Sequence, residues 1–299
     1  MPFDQTVLLW SILVPVVIAT GAFALGRIAS RFTRYKKARI DIFTFAFGWW
    51  VSIAIALYGR QGWPQAEWQL CLWPLIIWAL IIWAVSVWTS SVVNLSVQRP
   101  GHSTDSSWRW ILVAVASGLT SLTCLPRGEI WTDSYHLHGP WGVLLTLAML
   151  INAWSLDCMS RRNTERWVLL VTLASFGGPV ALAAATYGSL TEWSVAMVSV
   201  TLVFSVAGLL VRDSQVCAIA PLAAAAGTCI IAAGRFQTFQ DYPAWIYGLM
   251  LFLPACVASL DFALRKQPTW QRVLIASTLS IAIIATCIWY LLIRQTDSW

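Results

Sequence analysis

The stretch Val7–Arg39 reads VLLWSILVPVVIATGAFALGRIASRFTRYKKAR. Its first twenty residues carry no charge, and a run of about that length spans the roughly 30 Å of a bilayer's hydrocarbon core as a helix. The next thirteen hold six cations: Arg27, Arg31, Arg34, Lys36, Lys37 and Arg39. A removable leader would carry its positive charge ahead of the apolar run. Here the N-terminal flank has Asp4 and no basic residue, so the run reads as a retained span whose following loop faces the cytoplasm.

The whole chain repeats this alternation. Of its 299 residues 59% are hydrophobic and 11% charged, against about 25% charged in ordinary soluble domains. Mean hydropathy is +0.70. A chain this apolar cannot surround itself with a wetted surface, so the composition predicts an all-α, polytopic integral membrane protein. Ten candidate spans follow from the twenty-residue rule, at about 6–26, 40–59, 70–94, 110–126, 141–159, 167–188, 193–211, 215–234, 243–264 and 272–293. The links between them are short, so residues 1–299 read as a single transmembrane helical domain with no soluble domain.

Sorting Lys and Arg onto alternate links separates them. Fifteen fall on the side of the first basic loop; Arg60, Arg127, Arg235 and Arg294 fall on the other. Cytoplasmic loops are enriched in Lys and Arg. Both termini are therefore expected outside, in what reads as a bacterial inner membrane. The net charge of +6 is accounted for by this sorting, and no nucleic-acid partner is expected. The lipid bilayer is the expected partner, with other membrane proteins as candidates.

The longest polar link on the outer side is LPRGEIWTDSYHLHGPW, Leu125–Trp141. It holds Glu129, Asp133, His136 and His138, and two of the chain's three histidines. Imidazole and carboxylate are ligands for zinc-like ions. In an extended segment His136 and His138 would point to one side. The four form a candidate, weak divalent-metal site; the plain alternative is a wetted loop, since their spacing fits no established ligand pattern. No other cofactor is implied.

Inside the spans almost nothing ionises. Asp41, Asp157 and Asp261 lie at cytoplasmic ends beside basic residues, where pairing accounts for them. Intramembrane charge marks proton and ion paths, and its absence at mid-depth argues against pumps, bis-histidine haem proteins and intramembrane proteases. Six tryptophans, Trp63 to Trp88, recur every five residues. Each step turns a helix by about 140°, so they encircle a helix and suit packing and lipid contact better than one ligand-stacking wall. The seven cysteines form no Cys-x-x-Cys pair; Cys71 and Cys124 both fall toward the outer side and are a candidate disulfide.

Backbone chemistry remains. Span six contains SFGGPVAL, with Gly177, Gly178 and Pro179 near its middle. Proline removes a helical N–H and crowds the preceding turn. Span one carries Pro15 at a similar depth. Ten spans divide into five plus five, a possible inverted repeat in which spans one and six correspond. Matched broken helices mark substrate sites in secondary transporters. The candidate substrate-binding set is Pro15, Thr20, Thr172, Ser175, Gly177, Gly178 and Pro179. The expected function is a transporter-like permease for a small uncharged or weakly polar solute, since a charged one would call for a buried counter-charge. Two alternatives stand: a non-catalytic subunit or scaffold of a membrane complex, and a membrane enzyme working at the outer face. An enzyme is the weaker expectation, as no nucleophile–base spacing is present.

Overall fold

A computed structural model describes residues 5–32, 47–56, 58–59, 105–125, 135–162, 164–186, 188–211, 220–236 and 242–296. Among them there is no strand. The first rod, α1, joins Gln5–Leu8, a π-helical turn Leu9–Leu13, and Val14–Phe32. It is followed by α2 (Phe47–Ala56), α3 (Asp105–Cys124), α4 (Tyr135–Arg162), α5 (Thr164–Thr186), α6 (Gly188–Val211), α7 (Ala220–Phe236), α8 (Ala244–Ala263) and α9 (Thr269–Thr296). Five stretches are long and apolar enough to cross a membrane: Gln5–Ile28, Gly139–Leu156, Leu190–Ala207, Ala244–Ala263 and Thr269–Ile293. Shorter apolar stretches are Phe47–Ala56, Trp110–Cys124, Ala174–Ala185 and Leu222–Phe236. The third expected span, 70–94, with its tryptophan series, lies outside the described residues.

The centre of the bundle is α7. Every side chain from Leu222 to Gly234 is buried. Its sequence, APLAAAAGTCIIAAGRF, is apolar on all sides, the pattern of a helix with no face to present to solvent. It is packed by α3, α4, α5, α6 and α8. Small residues set the approach: a Cβ on Gly227 would lie 2.3 Å from the Ser175 carbonyl oxygen, and one on Gly234 would lie 2.9 Å from Leu182 Cδ2. Helices in lipid gain nothing from hiding apolar surface from one another, so close van der Waals contact through small residues carries the association. One contiguous apolar core takes in residues of every helix, from Ala19 and Trp49 through Trp193 to Cys287.

The contacts fix helix directions. At one end Trp10 of α1 lies at Gly59, Leu125 at Gly142 and Leu182 at Gly234. At that end too, Trp141 stacks on Phe236 at 5.3 Å and Trp245 on Tyr290 at 5.2 Å, both edge to face. The Tyr242 hydroxyl donates to the Ala185 carbonyl there, at 3.4 Å, and burial pushes its phenol pKa up, keeping it a neutral donor. At the other end Arg272 bonds Asp261. The starts of α1, α4, α6 and α8 thus share an end with the finishes of α2, α3, α5, α7 and α9. The outermost described residues, Gln5 and Thr296, lie at that same end.

Large exposed side chains on α1 and α9 are apolar, among them Leu13, Val17, Leu25, Leu274, Ile281 and Leu292. That is the surface a bilayer covers. Trp245 and Trp289 at one end and Trp270 at the other are also exposed, at the levels where an amphipathic indole meets headgroups.

Candidate functional site

Pro179 sits inside α5, and α5 runs through Gly177–Pro179 as uninterrupted α-helix, so of the break or kink expected there the break is absent. The consequence of the missing N–H is nonetheless present. The carbonyl that Pro179 would have bonded is that of Ser175, four residues back. This oxygen is directed at the α-carbon of Gly227 in α7, so the freed backbone group faces protein, away from lipid. Cα–H···O contacts of this kind recur between closely packed helices. Gly178, three residues after Ser175 and on the neighbouring part of the same face, is where a Cβ would meet Met250 Cγ of α8 at 2.9 Å. The two glycines and the proline therefore let α5 lie close to α7 and α8 together.

The Ser175 hydroxyl is buried and has no hydrogen-bond partner. The next residue after Met250 is Leu251, whose carbonyl accepts a 2.7 Å bond from Asn152 Nδ2 of α4. The Asn152 carbonyl oxygen, Oδ1, is buried without a partner. Leu251 lies in the turn ahead of Pro254, a second proline within a helix. The packed helices α4, α5, α7 and α8 thus carry two buried oxygens without a hydrogen-bond partner and two internal prolines, and toward one end Arg235 of α7 lies over the Tyr247 ring of α8 at 5.4 Å. Leaving a buried polar group unmade costs about 1–3 kcal/mol. Asn152 escaped the sequence reading; a lone amide in the middle of an otherwise apolar span was the available signal.

The remaining candidates are placed apart. Pro15 is buried in α1. Just ahead of it the Val14 N–H reaches back five residues to the Leu9 carbonyl, closing the π-turn, and such turns bend helices. α1 packs on α6 and makes no comparable interface with α5, so Pro15 does not join Gly177–Pro179 in one frame. Thr20 is exposed and its hydroxyl returns to the Val16 carbonyl at 2.7 Å. Thr172 lies on α5, but its side chain is outside the described residues.

Glu129 and Asp133 also lie outside the described residues. His136 and His138 fall in the first turn of α4. The side chains of both lie outside the described residues. Among the described residues no group of three metal-ligating side chains comes together.

At the end opposite the Trp141–Phe236 and Trp245–Tyr290 contacts, Asp261 and Arg272 form a buried ion pair across the α8–α9 turn. Arg272 Nε donates to Asp261 Oδ1 at 2.7 Å, and Nη2 donates to the same oxygen. This is the interfacial pairing expected for Asp261. A buried neutral bond joins two further helices: Trp49 Nε1 donates to Thr201 Oγ1 at 2.7 Å, fixing α2 to α6.

No family model matches the chain, and no curated protein or solved structure shows significant similarity to it.

Proposed function

We propose that this chain is a transporter-like permease, and that a small, uncharged or weakly polar solute engages the α4–α5–α7–α8 junction. The observation that carries the reading is the pair of buried, unpaired oxygens, Ser175 Oγ and Asn152 Oδ1. Native proteins pair nearly all such groups; at mid-depth in a bilayer no lipid tail can do so. A solute hydroxyl or amide fits both, one as donor to Asn152 Oδ1 and the other in either sense at the serine. Both groups are themselves neutral, which suits a neutral solute. Gly178, Met250 and Gly227 close the junction tightly here, so passage requires α5 to move relative to α7 and α8, and the loosened turns ahead of Pro179 and Pro254 are where such motion costs least.

In this reading the chain crosses ten times in a bacterial inner membrane, as one domain with both termini outside. The end-to-end pairing of the helices supports it: α2 finishes at one end and α3 begins at the other, an offset that a crossing by 70–94 accounts for. The basic residues sort to one side on the same threading. The five-plus-five repeat belongs to the same proposal, with α1 and α5 in corresponding places and opposite directions.

Purified protein in liposomes tests the function. Rapid mixing with hyperosmotic glycerol, urea or a small amide reads solute entry by light scattering. Re-swelling faster than in protein-free vesicles, for at least one neutral solute, is expected, with loss in Asn152→Leu. Rates equal to empty vesicles across the panel would remove the proposal.

A further inference from the structure

The two cysteines Cys124 and Cys229 are 105 residues apart in the chain, yet their sulfur atoms lie 3.5 Å from each other. Cys124 is the last residue of α3, and Cys229 lies in the second half of α7. Both carry reduced thiols and both are buried. The candidate pairing of Cys124 with Cys71 lies outside the described residues, as Cys71 does.

We propose that Cys124 and Cys229 form a dithiol site that closes to a disulfide with small disulfide oxidants reaching it from the α3–α4 end of the bundle. Three observations bring the chemistry within reach. The sulfurs already touch, so closure needs a displacement of about 1.5 Å toward the roughly 2.05 Å of the bond. Cys124 ends its helix, where local opening is least costly. And α3 is a peripheral element, packed on α4 and α7, with Ile111, Val115, Leu119 and Leu122 exposed along its outer face. A small movement of its last turn admits a small apolar oxidant from the bilayer.

The reaction balances without any group absent from it. The Cys124 sulfur, as thiolate, attacks one sulfur of R–S–S–R, forming Cys124–S–S–R and releasing R–S⁻, which takes up the proton Cys124 lost. The Cys229 sulfur then attacks Cys124 Sγ, displacing the second R–S⁻, protonated in turn. Two cysteine thiols are oxidised and the disulfide is reduced to two R–SH. Between Ser121 and Thr146 the α3–α4 contact has one hydroxyl bond, at 2.7 Å; the new covalent bond would tie α3 to the central helix instead.

The probe is 4,4′-dithiodipyridine applied to the intact protein in micelles. Two products separate the outcomes: a Cys124–Cys229 cross-linked peptide after digestion, and the mixed disulfide carrying one thiopyridine. Wild type is expected to yield the cross-linked peptide with release of two thiopyridones per pair, and Cys229→Ser the mixed disulfide at Cys124. A version keeping only Cys124 and Cys229 should lose both maleimide-reactive thiols. Mixed disulfides at both cysteines of wild type, or thiols that stay reactive to maleimide after treatment, would overturn the proposal. Because wild type is read directly, a poorly folding variant does not blur the result.

Discussion

Replacing Gly227 by alanine probes the closest approach in the bundle. The new Cβ would stand 2.3 Å from the Ser175 carbonyl oxygen. Ordinary contact begins near 3.4 Å, so α5 and α7 must separate by about 1.1 Å at interior packing density. The obstacle is backbone in a helix, which cannot rotate aside as a side chain would. Overpacking a filled core costs about 1–3 kcal/mol, and the upper half of that range applies here. Alanine returns about 1 kcal/mol through its better helix propensity. The net loss is about 1–2 kcal/mol. Gly248, in α8, has open space around its virtual Cβ, so Gly248→Ala should gain up to about 1 kcal/mol from propensity alone. Gly234→Ala falls between, because it meets the far end of Leu182, which can yield. Thermal or detergent-induced unfolding of the three variants in one micelle should rank them Gly248→Ala, Gly234→Ala, Gly227→Ala, from most to least stable. Equal midpoints for Gly227→Ala and Gly248→Ala would refute the argument that the Ser175 carbonyl abuts Gly227.

Ser175→Ala removes an unpaired hydroxyl, so stability should hold or rise by up to about 1–3 kcal/mol while solute flux in liposomes falls; a destabilised variant would show that the hydroxyl is bonded after all. Asp261→Ala strands the Arg272 guanidinium and should cost about 3–5 kcal/mol, most of it recovered in Asp261→Leu with Arg272→Met, and a double-mutant cycle reads the coupling. In a cysteine-free background, Ser134→Cys should react with an impermeant maleimide on intact cells and Ser160→Cys should not; the reverse pattern inverts the threading.

Apolar run length was enough to read the helices, because every backbone group in hydrocarbon must be bonded within its own segment. The alternating sense expected of successive helices matches contacts such as Trp10 with Gly59 and Trp245 with Tyr290. Pro179 was legible as a place where a carbonyl is freed. What that carbonyl meets was not: Gly227 lies 52 positions downstream, and no local pattern joins the two. The break expected at Gly177–Pro179 did not follow, since the neighbouring turns hold α5 continuous once α7 and α8 are packed against it. Thr20 looked like a lining hydroxyl at the right depth, yet its helix turns it outward, and rotation about the axis is set by neighbours that hydropathy does not reveal. Cys124 and Cys229 met for the same reason, through packing of α3 on α7.

The burial of α7 on every side bears on how the protein is made. Its core run is alanine, and a methyl side chain offers roughly 0.8 kcal/mol of transfer free energy, far less than the large side chains of α9. Such a segment has a weak claim on the bilayer when it leaves the ribosome. Of the five helices that surround it, α3 to α6 precede it in the chain and α8 follows. It would therefore enter a half-built cradle and wait, one flank uncovered, until α8 emerges. A polypeptide halted before α8 should leave α7 loosely held and open to membrane proteases, making α8 the element whose arrival commits the assembly.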